Sequence, residues 1–124
     1  MAVSRVLLVD DEDDIRTIGR ISLEDIGGWV TLLACNGVEG LEMARREQPD
    51  VILLDVMMPA MDGPTTLLHL REDPLTARIP VIFMTAKVQK HEQQRYLQAG
   101  AVGVIAKPFD PMELANEVRR ILGE

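Results

Sequence analysis

Five short apolar runs constrain this chain more than any other feature: residues 5–10, 29–34, 51–55, 80–85 and 102–106, typified by Val51-Ile-Leu-Leu-Asp55. None shows the polar and apolar alternation of a strand with one wet face. Strands apolar on both sides need cover on both sides, and longer amphipathic stretches separate the runs, as crossover helices would. The expected fold is therefore doubly wound α/β, a five-stranded parallel sheet with five helices. Right-handed crossovers restrict its topology, and ligands in such sheets sit beyond the carboxyl ends of the strands.

Punctuation residues place the helices. The first is expected over residues 13–26, with Ile15, Ile18, Ser22 and Ile26 on one face and Gly27-Gly28 as its stop. Asn36 with Glu39 reads as a capping box for a helix running to Glu47. Gly63-Pro64 opens a third helix that ends near Asp73-Pro74, and a polar fourth, residues 89–98, closes at Gly100. For the fifth, Asp110 is the expected N-cap and Pro111 the first helical residue, with Leu114, Val118 and Ile121 as its buried stripe. At 124 residues, with no repeat or linker, the expectation is one domain over residues 1–124.

Charge and cysteine content narrow the function. Residues 1–62 carry 13 acids and 5 bases, net −8, while residues 63–124 carry 7 acids and 8 bases, net +1. Such a surface disfavours direct nucleic-acid binding. No apolar run approaches the roughly 20 residues that span a bilayer, so no membrane is expected. The start lacks a secretory apolar core and Cys35 is the only cysteine, which points to a reducing cytoplasm.

Four of the five strand ends offer metal or phosphate chemistry, Asp10-Asp11, Asp55, Thr85 and Lys107, while the second ends in Cys35-Asn36. Singly these have plain structural readings, as a helix cap, a loop acid, a β-branched strand residue and a solvated lysine. Together they form a kit. Carboxylates gathered at one sheet edge repel one another and call for a cation. An oxygen-rich set without histidine or thiolate suits Mg²⁺, which keeps waters and accepts phosphate oxygens; Mn²⁺ is expected to substitute. A lysine and a threonine hydroxyl opposite would meet phosphoryl oxygens, leaving a carboxylate as acceptor.

The motifs Val9-Asp-Asp-Glu12, Leu54-Asp-Val-Met-Met-Pro-Ala-Met-Asp-Gly63, Thr85-Ala86 and Lys107-Pro-Phe109 resemble, in this order and at these separations, those of response-regulator receiver domains, the family of the chemotaxis regulator CheY. The resemblance implies sheet order 2-1-3-4-5 and a phosphoacceptor, Asp55, that takes its phosphoryl group from a histidine kinase or phosphotransfer protein. It implies Asp11 and Asp55 as metal ligands, Asp10 as an acid acting through water, and the Met57 carbonyl as a further ligand. Lys107 would pair with the phosphoryl group, Thr85 would be the switch hydroxyl, and the Lys107-Pro108 bond would be cis. The surface of helix four, strand five and helix five would bind a downstream protein. Where many members carry Tyr or Phe on strand five, this chain has Val104, so an aromatic at that position cannot couple to Thr85. The resemblance implies a signalling domain with self-catalysed phosphotransfer and slow autodephosphorylation, not an enzyme.

Other readings fit less well. A flavodoxin-like or dinucleotide-binding first loop should donate to phosphate, whereas this one is Asp10-Asp-Glu-Asp-Asp14. A phosphoaspartate-forming hydrolase would place its nucleophile after strand one. Within the receiver reading, a standalone regulator is the expectation, against a domain excised from a larger regulator or hybrid kinase.

Overall fold

The computed structural model describes residues 3–124; Met1 and Ala2, counted in the expected domain, lie outside them. Five parallel strands, β1 (Arg5–Val9), β2 (Val30–Ala34), β3 (Val51–Asp55), β4 (Val81–Thr85) and β5 (Gly103–Ala106), form one sheet in the order β2-β1-β3-β4-β5. The helices are α1 (Asp13–Ile21), α2 (Gly37–Glu47), α3 (Gly63–Glu72), α4 (Lys90–Gln98) and α5 (Leu114–Leu122), and a π-helix, Ser22–Ile26, continues α1. The expected doubly wound α/β fold and sheet order are both present.

Strand composition explains the two cores. Successive side chains point to opposite faces, so Leu8, Leu53, Ile82, Met84 and Ile105 meet Leu23, Leu114 and Val118 on one side. Leu7, Val9, Ile52, Leu54 and Phe83 meet Leu67 and Leu70 on the other. β3 and β4 are buried at every residue, whereas β2 opens on an exposed Val30, as befits an edge.

The helix punctuation mostly holds. Asn36 accepts the Glu39 N–H at 2.8 Å and Asp62 accepts the Thr65 N–H at 2.9 Å, each capping its helix. Gly28 (φ 74°) and Gly100 (φ 113°) supply left-handed stops after α1 and α4. The Glu39 carboxylate reaches the N–H of Cys35 at 3.0 Å rather than that of Asn36, so the capping box closes one residue early.

Two expectations need correction. The buried face of the first helical segment is Gly19, Ser22 and Leu23, while Ile18 and Ile26 are 42% and 39% exposed and Ile15 is half-buried. A Cβ on Gly19 would lie 2.5 Å from Leu8 Cδ2, so the missing side chain lets α1 close on β1. The π-turn, in which the Gly27 N–H donates to the Ser22 carbonyl five residues back, then rotates the following residues off the 3.6-residue stripe. The second correction concerns α5, which begins at Leu114 rather than at Pro111. Asp110 does cap: its carboxylate accepts the Met112 N–H at 2.8 Å and its carbonyl accepts those of Glu113 and Leu114. The turn so formed delays the helix by one turn. β2, β4 and β5 each begin one residue later than expected, and Trp29 sits just before β2, buried at 6% exposure.

Candidate phosphoryl and metal site

The carboxyl ends of β1, β3, β4 and the loop after β5 converge on one small cavity. Asp10 directly follows β1, and its amide, donating to the Ala34 carbonyl at 3.1 Å, extends the β1–β2 ladder by one bond. Its Oδ1 accepts the Glu12 N–H at 2.9 Å, which turns the chain into α1. Asp55 ends β3. Gly63 packs so tightly behind it that a Cβ there would lie 2.6 Å from the Asp55 carbonyl oxygen, which is why the loop after β3 needs glycine at this point. Carboxylate oxygens of Asp10, Asp11 and Asp55 lie within 4.8 Å of one another, with Asp10 and Asp55 buried and Asp11 exposed.

Lys107 closes the cluster from the far side through a cis Lys107–Pro108 bond. Its Nζ lies 2.9 Å from Asp10 Oδ2, 3.5 Å from Asp55 Oδ2 and 3.9 Å from Glu12 Oε1. The nearest partner of the lysine is thus Asp10, an acid that the sequence assigned to the metal alone. Burial pulls the Lys107 ammonium down, but the hydrogen bond it donates to Asp10 and the fields of Asp10, Asp55 and Glu12 outweigh it and hold the lysine above its ordinary value. Asp55 is pushed up from 3.8 to about 6, by burial first and by the neighbouring Asp10 charge second, against the opposing pull of Lys107 and the Met57 N–H. The Met57 amide donates to Asp55 Oδ1 at 3.3 Å.

Thr85 ends β4, and its buried hydroxyl accepts the Lys87 N–H at 3.0 Å, leaving its own proton free to donate. The cavity, about 210 Å³, is lined by Glu12, Asp55, Met57, Thr85, Ala86 and Lys107. The structure therefore brings together Asp10, Asp11, Asp55, Thr85 and Lys107, and puts Met57 on the same cavity wall. Asn36 instead caps α2, and the Cys35 thiol faces Glu39 at 3.5 Å. Sequence reasoning missed Glu12, whose carboxylate reaches Lys107 from beside Asp11, and missed Arg16, whose guanidinium binds the Asp10 carbonyl. An arginine one turn into the helix that follows an acidic loop was the available signal for the latter.

A raised carboxyl beside two others is the mark of a site short of positive charge, and an all-oxygen donor set fits a hard divalent ion rather than a soft one. A family model described as a response regulator receiver domain matches residues 6–119. The chain belongs to this family. The DNA-binding dual master transcriptional regulator RpaA of Synechocystis is 38% identical over 118 residues, which cover 95% of this chain and 48% of that protein. The chain thus spans about half the length of this and other curated relatives. A 14.6 kDa uncharacterized protein of Leptolyngbya boryana is 38% identical over 120 residues, 97% of this chain and 91% of that one. Among solved receiver structures, the chemotaxis protein CheY4 of Vibrio cholerae superposes with a TM-score of 0.88 at 32% identity, covering 97% of this chain and 99% of the other. The receiver domain of the sensor histidine kinase PA1611 from Pseudomonas aeruginosa has magnesium coordinated in its active-site cleft; it superposes with a TM-score of 0.85 at 30% identity over 99% of this chain and all of that one. As a receiver domain the chain is a signalling module of two-component systems. No helix among the described residues is long and apolar enough to cross a membrane.

Proposed function

We propose that this receiver takes a phosphoryl group from the phosphohistidine of a histidine kinase or phosphotransfer protein onto Asp55, with Mg²⁺ held by Asp10, Asp11, Asp55 and the Met57 carbonyl. The observation that carries the reading is the convergence of three carboxylates and Lys107 around the mouth of one strand end. An Asp55 carboxylate oxygen attacks phosphorus, the P–N bond breaks, and the departing imidazole takes up a proton as the O–P bond forms. Mg²⁺ bound there would offset the carboxylate charge and attract the phosphoryl oxygens; Mn²⁺ would serve in its place. Lys107, already 3.5 Å from Asp55, turns from Asp10 to the new phosphoryl oxygens. The Thr85 hydroxyl donates to another and, still accepting the Lys87 N–H, draws on the loop before α4.

That pull acts on the least anchored element of the fold. α4 buries none of its residues; Tyr96, edge-on to Phe83 at 5.2 Å, is its aromatic contact with the core. Phe83 is the register partner of Val104, so α4 supplies the aromatic ring on this face that β5 lacks. We take the surface of α4, β5 and α5 as the one read by a downstream protein, and slow autodephosphorylation as the reset. We take the protein as a standalone regulator of the cytoplasm with residues 1–124 as its one receiver domain; similarity to a 14.6 kDa relative along 91% of its length supports the standalone reading, and the coverage of RpaA supports the second, a receiver within a larger regulator. The test is intact-protein mass spectrometry after incubation with Mg²⁺ and a small acyl phosphate. The protein should gain one phosphoryl mass and Asp55→Asn none; equal labelling of both would exclude Asp55.

A further inference from the structure

We propose that Arg16 is a positioning residue for the metal, acting through the backbone of the β1–α1 turn. Its Nη1 donates to the Asp10 carbonyl at 2.6 Å and its Nη2 pairs with Asp13. The Arg16 side chain is 17% exposed, although it serves a loop of five consecutive acids in which Asp11 and the carboxylate of Asp13 stand in solvent. It is held from both sides of the residues it must fix: the Arg16 amide donates to the Glu12 carbonyl as α1 begins, while the side chain reaches back over the turn to the carbonyl of Asp10. The other contacts that hold Asp10 in the turn, the Glu12 N–H on its Oδ1 and the Lys107 ammonium on its Oδ2, both use a carboxylate that the metal also needs. Arg16 therefore fixes the peptide between Asp10 and Asp11 without occupying a carboxylate oxygen of either residue. A planar fork does this in one geometry, and a lysine does not. Groups that orient ligands in this way typically matter about 10-fold or more to metal affinity.

The inference rests on the metal reading above, and its test separates position from charge. By charge alone, removing a cation from beside three carboxylates should tighten Mg²⁺ binding. By position, both Arg16→Gln and Arg16→Lys should weaken it, on the order of 10-fold. Titration calorimetry of Mg²⁺ into wild type and both variants, with melting temperatures in chelator as the control for folding, reads the difference. Weaker binding by both variants, at melting temperatures close to that of wild type, is the expected result. Tighter binding by Arg16→Gln with wild-type binding by Arg16→Lys would show that Arg16 is only a charge. Lower melting temperatures with unchanged affinity would show that it is only a structural brace. Either result overturns the proposal. If wild type itself takes up no Mg²⁺, it is the metal reading that fails, and the inference with it.

Discussion

Ala60 holds a φ of 68°, and the Met61 N–H donates back across it to the Pro59 carbonyl at 2.8 Å, closing a γ-turn in the loop between β3 and α3. A Cβ in the left-handed region costs about 1–2 kcal/mol, and the extra freedom of an unfolded glycine returns about 0.5–1 kcal/mol of that. Ala60→Gly should therefore stabilise the fold by a net of about 0.5–1 kcal/mol and raise the melting temperature slightly; a lower melting point in a thermal scan would show that the turn is relaxed. Asp55 stores a larger strain. Its carboxyl is pushed up to about 6 from 3.8, so the folded state binds this proton more tightly than the unfolded chain does. The stability associated with the proton is complete below pH 3.8 and is lost as pH rises through 6. In chelator, Asp55→Asn should accordingly be more stable than wild type above pH 7, on the order of 2 kcal/mol, with the gap closing toward pH 4. Urea midpoints at several pH values would measure it, and a gap that widened on acidification would reverse the assigned sign.

At the scale of elements, Asp50 clasps the sheet at the end opposite the site. Its Oδ2 accepts the amides of Ser4 and Arg5, each at 2.9 Å, and the Ser4 hydroxyl at 3.1 Å, so the start of β3 is tied to the start of β1. The Ser4 amide is the main cause that holds this carboxyl below its ordinary 3.8, ahead of burial, which opposes it, and of the Arg5 amide. The sign is opposite to that of Asp55: this stabilisation is present above pH 3.8 and lost as pH falls through the lower folded value. Asp50→Asn should cost about 1–2 kcal/mol at pH 7, with the loss shrinking below pH 4. Denaturant titrations at pH 7 and pH 3 would check this, and a penalty independent of pH would mean that shape rather than charge makes the clasp. Strand identity was legible in the sequence at this scale because a strand apolar on both faces has few other ways to be buried. The inward face of α1 was not. Gly19 and Leu23 face β1 because backbone can approach there, and the π-turn that resets the stripe leaves no mark in a 3.6-residue pattern.

For the whole molecule, the net charge of −7 includes the three carboxylates of Asp10, Asp11 and Asp55 gathered at one end of the sheet, and a cation that binds only the folded cluster stabilises the fold by mass action. Free Mg²⁺ at 100 times its Kd should add about 2.7 kcal/mol. The melting temperature should rise linearly with the logarithm of Mg²⁺ concentration well above Kd, and much less in Asp55→Asn; an equal rise in both would place the ion elsewhere. The sequence by itself determined the fold class, the carboxyl edge of the sheet as the place to look for a site, and Asp10, Asp11, Asp55, Thr85 and Lys107 as the candidates that gather there. Hydrophobic pattern and the order of motifs are local along the chain, and the carboxyl ends of parallel strands must share one edge. Only the tertiary structure decided which of these groups touch. That Lys107 rests on Asp10 nearer than on Asp55, that Glu12 joins the cavity wall, that Arg16 braces the first turn and that Tyr96 covers Phe83 are distances between residues far apart in sequence or on opposite sides of a turn. They follow from how closely helices pack onto the sheet, to within an ångström or two, and periodicity in one dimension carries no such measure.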